Sequence, residues 1–217
     1  MSDFYFHSHS NICILSSDIL TALALKEIID IDNPNTIINF TTLNEFSMER
    51  DKYQEPKIKT LILYLPKDIP EALFLLKQSV ILLTNQREEI EEIIIITSYS
   101  FNWIYHTLKP LITPETLRKV RTISAKESLQ NMIHLLKTPL ITGDCLPIQA
   151  RREEIETGVV IEGLTRNEYD CVLDFFCGRS IKEPFYSSNK TASSTRYNQR
   201  NTGLRKLLSQ KSALFNR

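Results

Sequence analysis

The first 142 residues of this 217-residue chain contain no glycine, and all five glycines lie at Gly143 or later. Neither a G-x-G-x-x-G nor a P-loop pattern occurs, which removes the glycine-cradled nucleotide sites from consideration. The four cysteines, Cys13, Cys145, Cys171 and Cys177, form no C-x-x-C pair. Cys13 and Cys171 stand among apolar residues, as buried thiols of a reducing compartment do. No apolar run reaches 18 residues, and no basic-then-apolar pattern opens the chain. The expected location is therefore the cytoplasm, with no membrane partner. No nucleophile–base pair and no cluster of carboxylates appears, so the expectation is no enzyme, no catalytic residue, no metal and no cofactor. His7-x-His9 is the nearest approach to a ligand set. Without further Cys or His nearby it reads as an idle N-terminal segment.

Net charge is lacking as well, with 26 Lys+Arg against 26 Asp+Glu. That zero is a sum of unlike parts. Residues 1–150 carry 14 basic and 18 acidic side chains, while residues 151–217 carry 12 and 8. From Pro184 onward there are seven basic residues and no acidic one. A basic end on a mildly acidic body is the charge footprint of a nucleic-acid-binding module joined to a separate domain. The glycine distribution shifts at the same place, which sets a boundary near residues 138–162.

What the first part does have is apolar runs alternating with amphipathic ones. Asn11–Leu15, Asn35–Phe40, Lys59–Leu65, Ile93–Thr97 and Val120–Ser124 read as strands, the third and fourth apolar throughout as if buried on both faces. Between them, residues 19–29, 69–90, 101–108 and 127–136 carry helical spacing, while 43–57 reads as loop. Strands alternating with helices imply an α/β doubly wound, flavodoxin-like N-terminal domain over residues 1–137.

Ligands of such sheets sit beyond the carboxyl ends of the strands. The residues there are Ser16, Ser17 and Asp18 after the first strand, and Tyr64 and Leu65 at the end of the third. Thr97 and Ser98 follow the fourth, and Lys126 follows the fifth. This order resembles the receiver domain of bacterial response regulators, with Thr97 and Lys126 at that family's switch Thr/Ser and phosphate-pairing Lys. The resemblance places the family's acidic pair on Ser16 and Ser17 and its phosphoacceptor Asp within Ile62–Tyr64, where no carboxylate exists. Phosphoryl transfer needs a carboxylate nucleophile and acids that hold Mg²⁺. The expectation is a receiver-like domain that takes no phosphate and serves for pairing.

Residues 138–163, with Pro139, Gly143, Pro147, Gly158 and the mixed-charge run Arg151–Glu156, read as a solvated linker with one helical turn at 149–156. Residues 164–217 follow as a small all-α domain. Thr165 and Glu168 have capping-box spacing, followed by an apolar face of Cys171, Val172, Phe175 and Phe176. After Gly178 come a second short helical segment and a third, polar and basic one over about 193–207. The pattern is that of a helix-turn-helix.

Leu164, Thr165, Glu168, Val172, Phe175, Gly178, Lys182–Glu183, Thr195 and Leu204–Leu207 together resemble the C-terminal DNA-binding domain of LuxR/FixJ-type regulators. Three departures weaken the scaffold. Pro184 removes a backbone donor in the second helix. Arg196 stands where the family buries an apolar side chain. Gly203, in the middle of the third helix, costs about 1 kcal/mol relative to Ala. The segment after Leu208 is short for the family's fourth, pairing helix. A second register sets Lys190–Ser194 on the family's K-T-V-S-S stretch, at the expense of an inserted turn.

In the gapless register Ser194, Tyr197, Asn198 and Asn201 share one helical face by i, i+3, i+4, i+7 spacing and are the base-contacting candidates. Lys190, Thr195, Arg200, Arg205 and Lys206 are the candidates for phosphates. The implied partners are double-stranded DNA and either a second copy of the chain or a second response-regulator-type protein. The missing acids and the Ser194-Thr195-x-Tyr197 segment resemble auxiliary regulators of enteric bacteria that pair with a phosphorelay regulator. The rival expectation is an adaptor: the same two domains, with a C-terminal domain too decayed to hold DNA, titrating a partner regulator.

Overall fold

Five short apolar runs assemble into one sheet, β1 (Ile12–Ser16), β2 (Ile38–Thr41), β3 (Thr60–Tyr64), β4 (Glu92–Thr97) and β5 (Val120–Ser124). Every pair is parallel and the order is β2-β1-β3-β4-β5, the doubly wound order expected of a flavodoxin-like sheet. The computed structural model describes residues 12–30, 38–41, 58–85, 90–159, 161–176 and 190–215. The connecting helices are α1 (Ile19–Asp30), α2 (Ile69–Asn85), α3 (Phe101–Leu108), α4 (Pro114–Arg118) and α5 (Leu129–Lys137). The short α4 had no signal in the apolar periodicity. Thr113 caps it by accepting from Thr116 N–H, and Pro114 presets its first turn.

Side chains alternate across the sheet because successive strand residues face opposite ways. Cys13, Leu15, Leu61, Leu63, Ile93 and Ile95 pack under α2 and α3 on one face. Ile12, Ile14, Ile62, Ile94, Ile96 and Ile123 pack under α1 and α5 on the other. A sheet covered on both faces must be apolar at consecutive positions, which is why β3 and β4 read as unbroken runs. One charged pair interrupts this pattern. Arg121 in β5 sits opposite Ile94, so Glu92 is its diagonal neighbour on the same face. Arg121 Nε and Glu92 Oε1 lie 2.7 Å apart, with Arg121 buried.

The stretch expected to be a solvated linker is largely a helix that belongs to the α/β layer. Residues 146–157 form α6 (Leu146–Thr157), twelve residues long, where the sequence suggested a single turn. Leu146, Ala150 and Glu153 face inward at i, i+4, i+7 while Arg151, Arg152, Ile155 and Glu156 face outward. Two polar side chains fasten it. Gln149 Oε1 accepts from Thr122 N–H at 2.9 Å and its Nε2 donates to Thr122 O at 2.9 Å, covering the free edge of β5 as a further strand would. The Glu153 carboxylate accepts from Asn102 N–H at 2.7 Å and from Ser100 Oγ at 3.2 Å, at the N-terminus of α3. Gly158 ends α6 in the left-handed region (φ 64°), donating its N–H to Glu154 O.

The chain then crosses back over α3. A Cβ on Gly163 would stand 2.5 Å from the His106 carbonyl oxygen, so only glycine permits this approach. Two further helices follow, α7 (Arg166–Phe176) and α8 (Lys190–Phe215). Leu164, Tyr169, Val172, Leu173 and Leu207 join the same apolar cluster as Leu73, Leu76, Trp103 and Ile104. The C-terminal helices are thus packed on the α2 and α3 side of the sheet. Tyr169 Oη donates to the Leu73 carbonyl of α2, and Lys77 Nζ lies 3.0 Å from Asp170 Oδ1. His7, His9, the start of the second expected strand, the 43–57 loop, Cys177, Gly178, Lys182, Glu183 and Pro184 lie outside the described residues. The expected second short helix between α7 and α8 lies there too.

Candidate functional site

The capping box at the start of α7 is formed as its spacing predicts. Glu168 N–H donates to Thr165 Oγ1 at 3.3 Å, and Thr165 N–H donates to Glu168 Oε2 at 2.8 Å. The buried face of α7 differs from the expected one. Glu168, Tyr169, Val172 and Leu173 point inward, whereas Phe175 and Phe176 are 47% and 38% exposed. Leu73 and Leu76 of α2 supply the apolar neighbours that select the inward face, and the heptad-like pattern of α7 alone does not identify it.

Helix α8 is one continuous element of 26 residues, about 39 Å long at 1.5 Å per residue. The expected break between a third and a fourth helix is absent, because Leu207–Phe215 contains neither glycine nor proline. Gly203 lies in the contact between α7 and α8. It is buried, and a Cβ there would meet Val172 Cγ2 at 2.8 Å and Glu168 Cβ at 3.3 Å. The residue that looked like a defect in the scaffold is the one that lets the two helices touch. Gly203→Val is expected to lower stability by about 1–3 kcal/mol through overpacking, despite the better helix propensity of the new residue. A urea midpoint equal to the parent's would mean that the crossing has slack.

The structure sorts the DNA-contact candidates on α8 by exposure. Thr195, Asn198 and Arg205 are exposed, and Thr202 joins them on the same stripe, at i+7 from Thr195 and i+4 from Asn198. Thr202 was missed because its side chain carries no charge and fits no base-pairing rule as distinctively as asparagine. Asn201, a sixth of a turn from Asn198, is half-buried. Lys190, Ser194 and Tyr197 lie on α8, but their side chains lie outside the described residues, as does that of Arg196.

Two cations expected to meet phosphates are held within the protein. Arg200 sits over the Phe175 ring, its guanidinium carbon 5.4 Å from the centroid. Lys206 Nζ lies 3.0 Å from Glu162 Oε1 and 3.1 Å from Glu168 Oε2. Burial works against the charge of Glu168, but hydrogen bonds from Thr165 and Lys206 hold its carboxyl below the ordinary range. Partial burial likewise opposes the charge of Lys206, and its two carboxylate partners raise its ammonium above the ordinary range. Lys206 therefore ties α8 to the start of α7. Its partners stand 44 and 38 residues upstream, at a separation that no local charge pattern in the sequence could reveal.

At the carboxyl edge of the sheet, Ser16, Asp18 and Thr97 are engaged in local hydrogen bonds. Ser16 is buried and its Oγ accepts from Asp18 N–H at 3.1 Å. Asp18 caps α1, accepting from Thr21 Oγ1 at 2.5 Å and from the N–H groups of Leu20 and Thr21. The Thr21 hydroxyl, first among these donors, keeps the Asp18 carboxyl below its usual range. Tyr64 stands beside Ser16 in register, at the end of β3. Thr97 is buried with its Oγ1 accepting from Tyr99 N–H at 2.9 Å, and Lys126 is exposed. Among the described residues no three His, Cys, Asp or Glu side chains gather as metal ligands, and no helix is long and apolar enough to cross a membrane.

These elements make the chain a doubly wound α/β protein with a helical C-terminal extension packed on one layer of helices. No family model matches it, and no curated protein matches it. Among solved structures it is similar to RcsB from Salmonella enterica serovar Typhimurium bound to promoter rprA in the presence of phosphomimetic BeF3-. The identity is 15%, over 92% of each chain, with a TM-score of 0.49. It is also similar to the two-component response regulator RcsB in complex with DNA, at 12% identity over 92% of each chain and a TM-score of 0.42. A third, RcsB from Salmonella typhimurium in a study of conformational dynamism for DNA interaction, shares 14% identity over 91% of this chain and 92% of that one, with a TM-score of 0.40.

Proposed function

We propose that the chain is a DNA-binding transcriptional regulator of the LuxR/FixJ type whose α/β domain works without phosphorylation. It pairs with a second copy or with a second response-regulator-type protein. The observation that carries the proposal is the outward stripe of α8, where Thr195, Asn198, Thr202 and Arg205 stand exposed in a segment with seven basic and no acidic residues from Pro184 onward. A polar, cationic helix face of that kind suits a major groove, with asparagine for a base edge and arginine for phosphate. Phosphorylation independence is supported by the lack of a carboxylate within Ile62–Tyr64, where the resemblance places the phosphoacceptor, and by Asp18 being committed to a helix cap. A single module with few phosphate contacts binds weakly at physiological salt, which is the reason for expecting a pair.

The test is a gel-shift titration of the full chain on genomic fragments at several salt concentrations, alone and with a candidate partner regulator. Arg205→Ala should weaken binding to all sequences alike and reduce the slope of log K on log salt by about 1. Lys206→Ala should leave that slope unchanged, since its ammonium is held by Glu162 and Glu168. Asn198→Ala should cost about 1–3 kcal/mol on the preferred sequence and little elsewhere. Equal losses on all sequences would remove Asn198 from the base-reading role.

The engagement of Arg200 and Lys206 within the protein favours a second reading, an adaptor that modulates a partner regulator without touching DNA. Absence of binding both alone and with the partner would select it. A stoichiometric acyl-phosphate after treatment with a small phosphodonor would overturn phosphorylation independence.

A further inference from the structure

A half-open cavity of about 610 Å³ lies where the chain passes from the sheet layer into α6. Its walls are Tyr105, Leu117, Leu140, Cys145, Pro147 and Ile148, from the ends of α3 and α4, the segment after α5 and the start of α6. Leu117 and Cys145 are buried, and the other four are half-buried. Lys109, Pro114 and Arg118 complete the lining, all exposed, and neither cation forms an ion pair with any described residue. The Lys109 ammonium stands 5.6 Å from the Tyr105 ring centroid, so one cation is already placed over a wall of the cavity. The size falls within the range of small-molecule sites, and a mostly apolar lining with a few charged groups is their usual chemistry. The two charged groups have the same sign.

The geometry points to a binding site for a small amphipathic anion, a carboxylate on a hydrocarbon body such as a medium-chain fatty acid. The hydrocarbon packs against Leu117, Leu140 and Ile148, and the carboxylate lies between Lys109 and Arg118. A neutral apolar ligand would leave both cations unused, and an organic cation would be repelled by them. The place of the cavity gives occupancy a consequence. Cys145, Pro147 and Ile148 open α6, whose Gln149 and Glu153 hold the edge of β5 and the N-terminus of α3. A ligand wedged between α4 and α6 binds only while α6 is docked, so it stabilises the arrangement that carries the C-terminal helices.

The experiment is isothermal titration of the full chain with sodium decanoate, hexanoate, methyl decanoate and decyltrimethylammonium, each below its micellar concentration. Decanoate is expected to bind with a stoichiometry of one. Each two-carbon shortening should weaken it by about tenfold, and the ester and the cation should bind at least tenfold more weakly. Lys109→Ala with Arg118→Ala should weaken decanoate by at least tenfold while leaving the protein folded, with the far-ultraviolet circular dichroism of the parent, since both side chains are exposed. Ile148→Trp, which fills the cavity, should abolish binding. Equal binding of decanoate and its methyl ester, unsaturable uptake, or decanoate binding unaffected by the double substitution would each overturn the assignment.

Discussion

Tyr169→Ala is expected to lower the unfolding free energy by about 3–5 kcal/mol, the usual range for emptying a large buried aromatic site. The Tyr169 side chain is 1% exposed, lies in the apolar cluster that spans α2, α3, α7 and α8, and donates its hydroxyl to the Leu73 carbonyl. Burial, and then the charge of Asp170, push its phenol far above the ordinary range, so it remains a donor wherever the protein is folded. The neighbouring Lys77–Asp170 pair is 3.0 Å long, but its side chains are 38% and 48% exposed. Such a pair contributes about 1 kcal/mol at most, so Lys77→Ala is the control that separates apolar docking from charge. Tyr169→Phe keeps the ring and should lose only about 0.5–1.5 kcal/mol with its hydrogen bond. Urea unfolding checks all three. A Tyr169→Ala loss no larger than that of Lys77→Ala would mean that α7 only rests on the surface of α2.

Arg121→Ala should be comparably severe, and its effect should depend on pH. Removing one partner of a buried ion pair leaves the other charge uncompensated, typically a loss of about 3–5 kcal/mol. Burial raises the Glu92 carboxyl above its usual range, and the Arg121 charge and its contact act in the opposite direction. A carboxyl whose folded pKa is raised stabilises the fold fully below the unfolded value near 4.5, and that contribution is lost as pH rises through the folded value. Without Arg121 the folded value climbs further, so Glu92 resists ionisation over a wider range. The variant should therefore approach the parent's stability at pH 4 and fall furthest behind it at pH 8. Urea midpoints at the two pH values decide this, and a deficit independent of pH would remove Glu92 as its cause.

The sheet was legible in the sequence because β-strands buried on both faces leave uninterrupted apolar runs, as Ile93–Thr97 does. The capping box of Thr165 and Glu168 was legible because its partners are only three residues apart. What escaped was held by distant partners. Helix α6 looked solvated because its anchors, Gln149 and Glu153, are polar residues whose acceptors and donors lie on β5 and α3. Lys206 looked like a phosphate contact because Glu162 and Glu168 are far upstream. Gly203 looked destabilising by helix propensity, a local quantity, while its role is set by Val172 on another helix. The exposure of Phe175 and Phe176 likewise depends on which face of α7 meets α2.

The shared core of α2, α3, α7 and α8, with α6 bound to the sheet edge, has a consequence for any operator the chain reads under the proposal above. A reader on a loose tether can reach half-sites at varied separations, as its two copies adjust independently. Here α8 is fixed to its platform, so the separation and phase of two copies follow from how the platforms pair. Half-sites would have to lie on one face of the duplex, at one helical turn or a whole multiple of it. Inserting about five base pairs between them turns one half-site to the opposite face, and binding of the pair should collapse to that of a single copy.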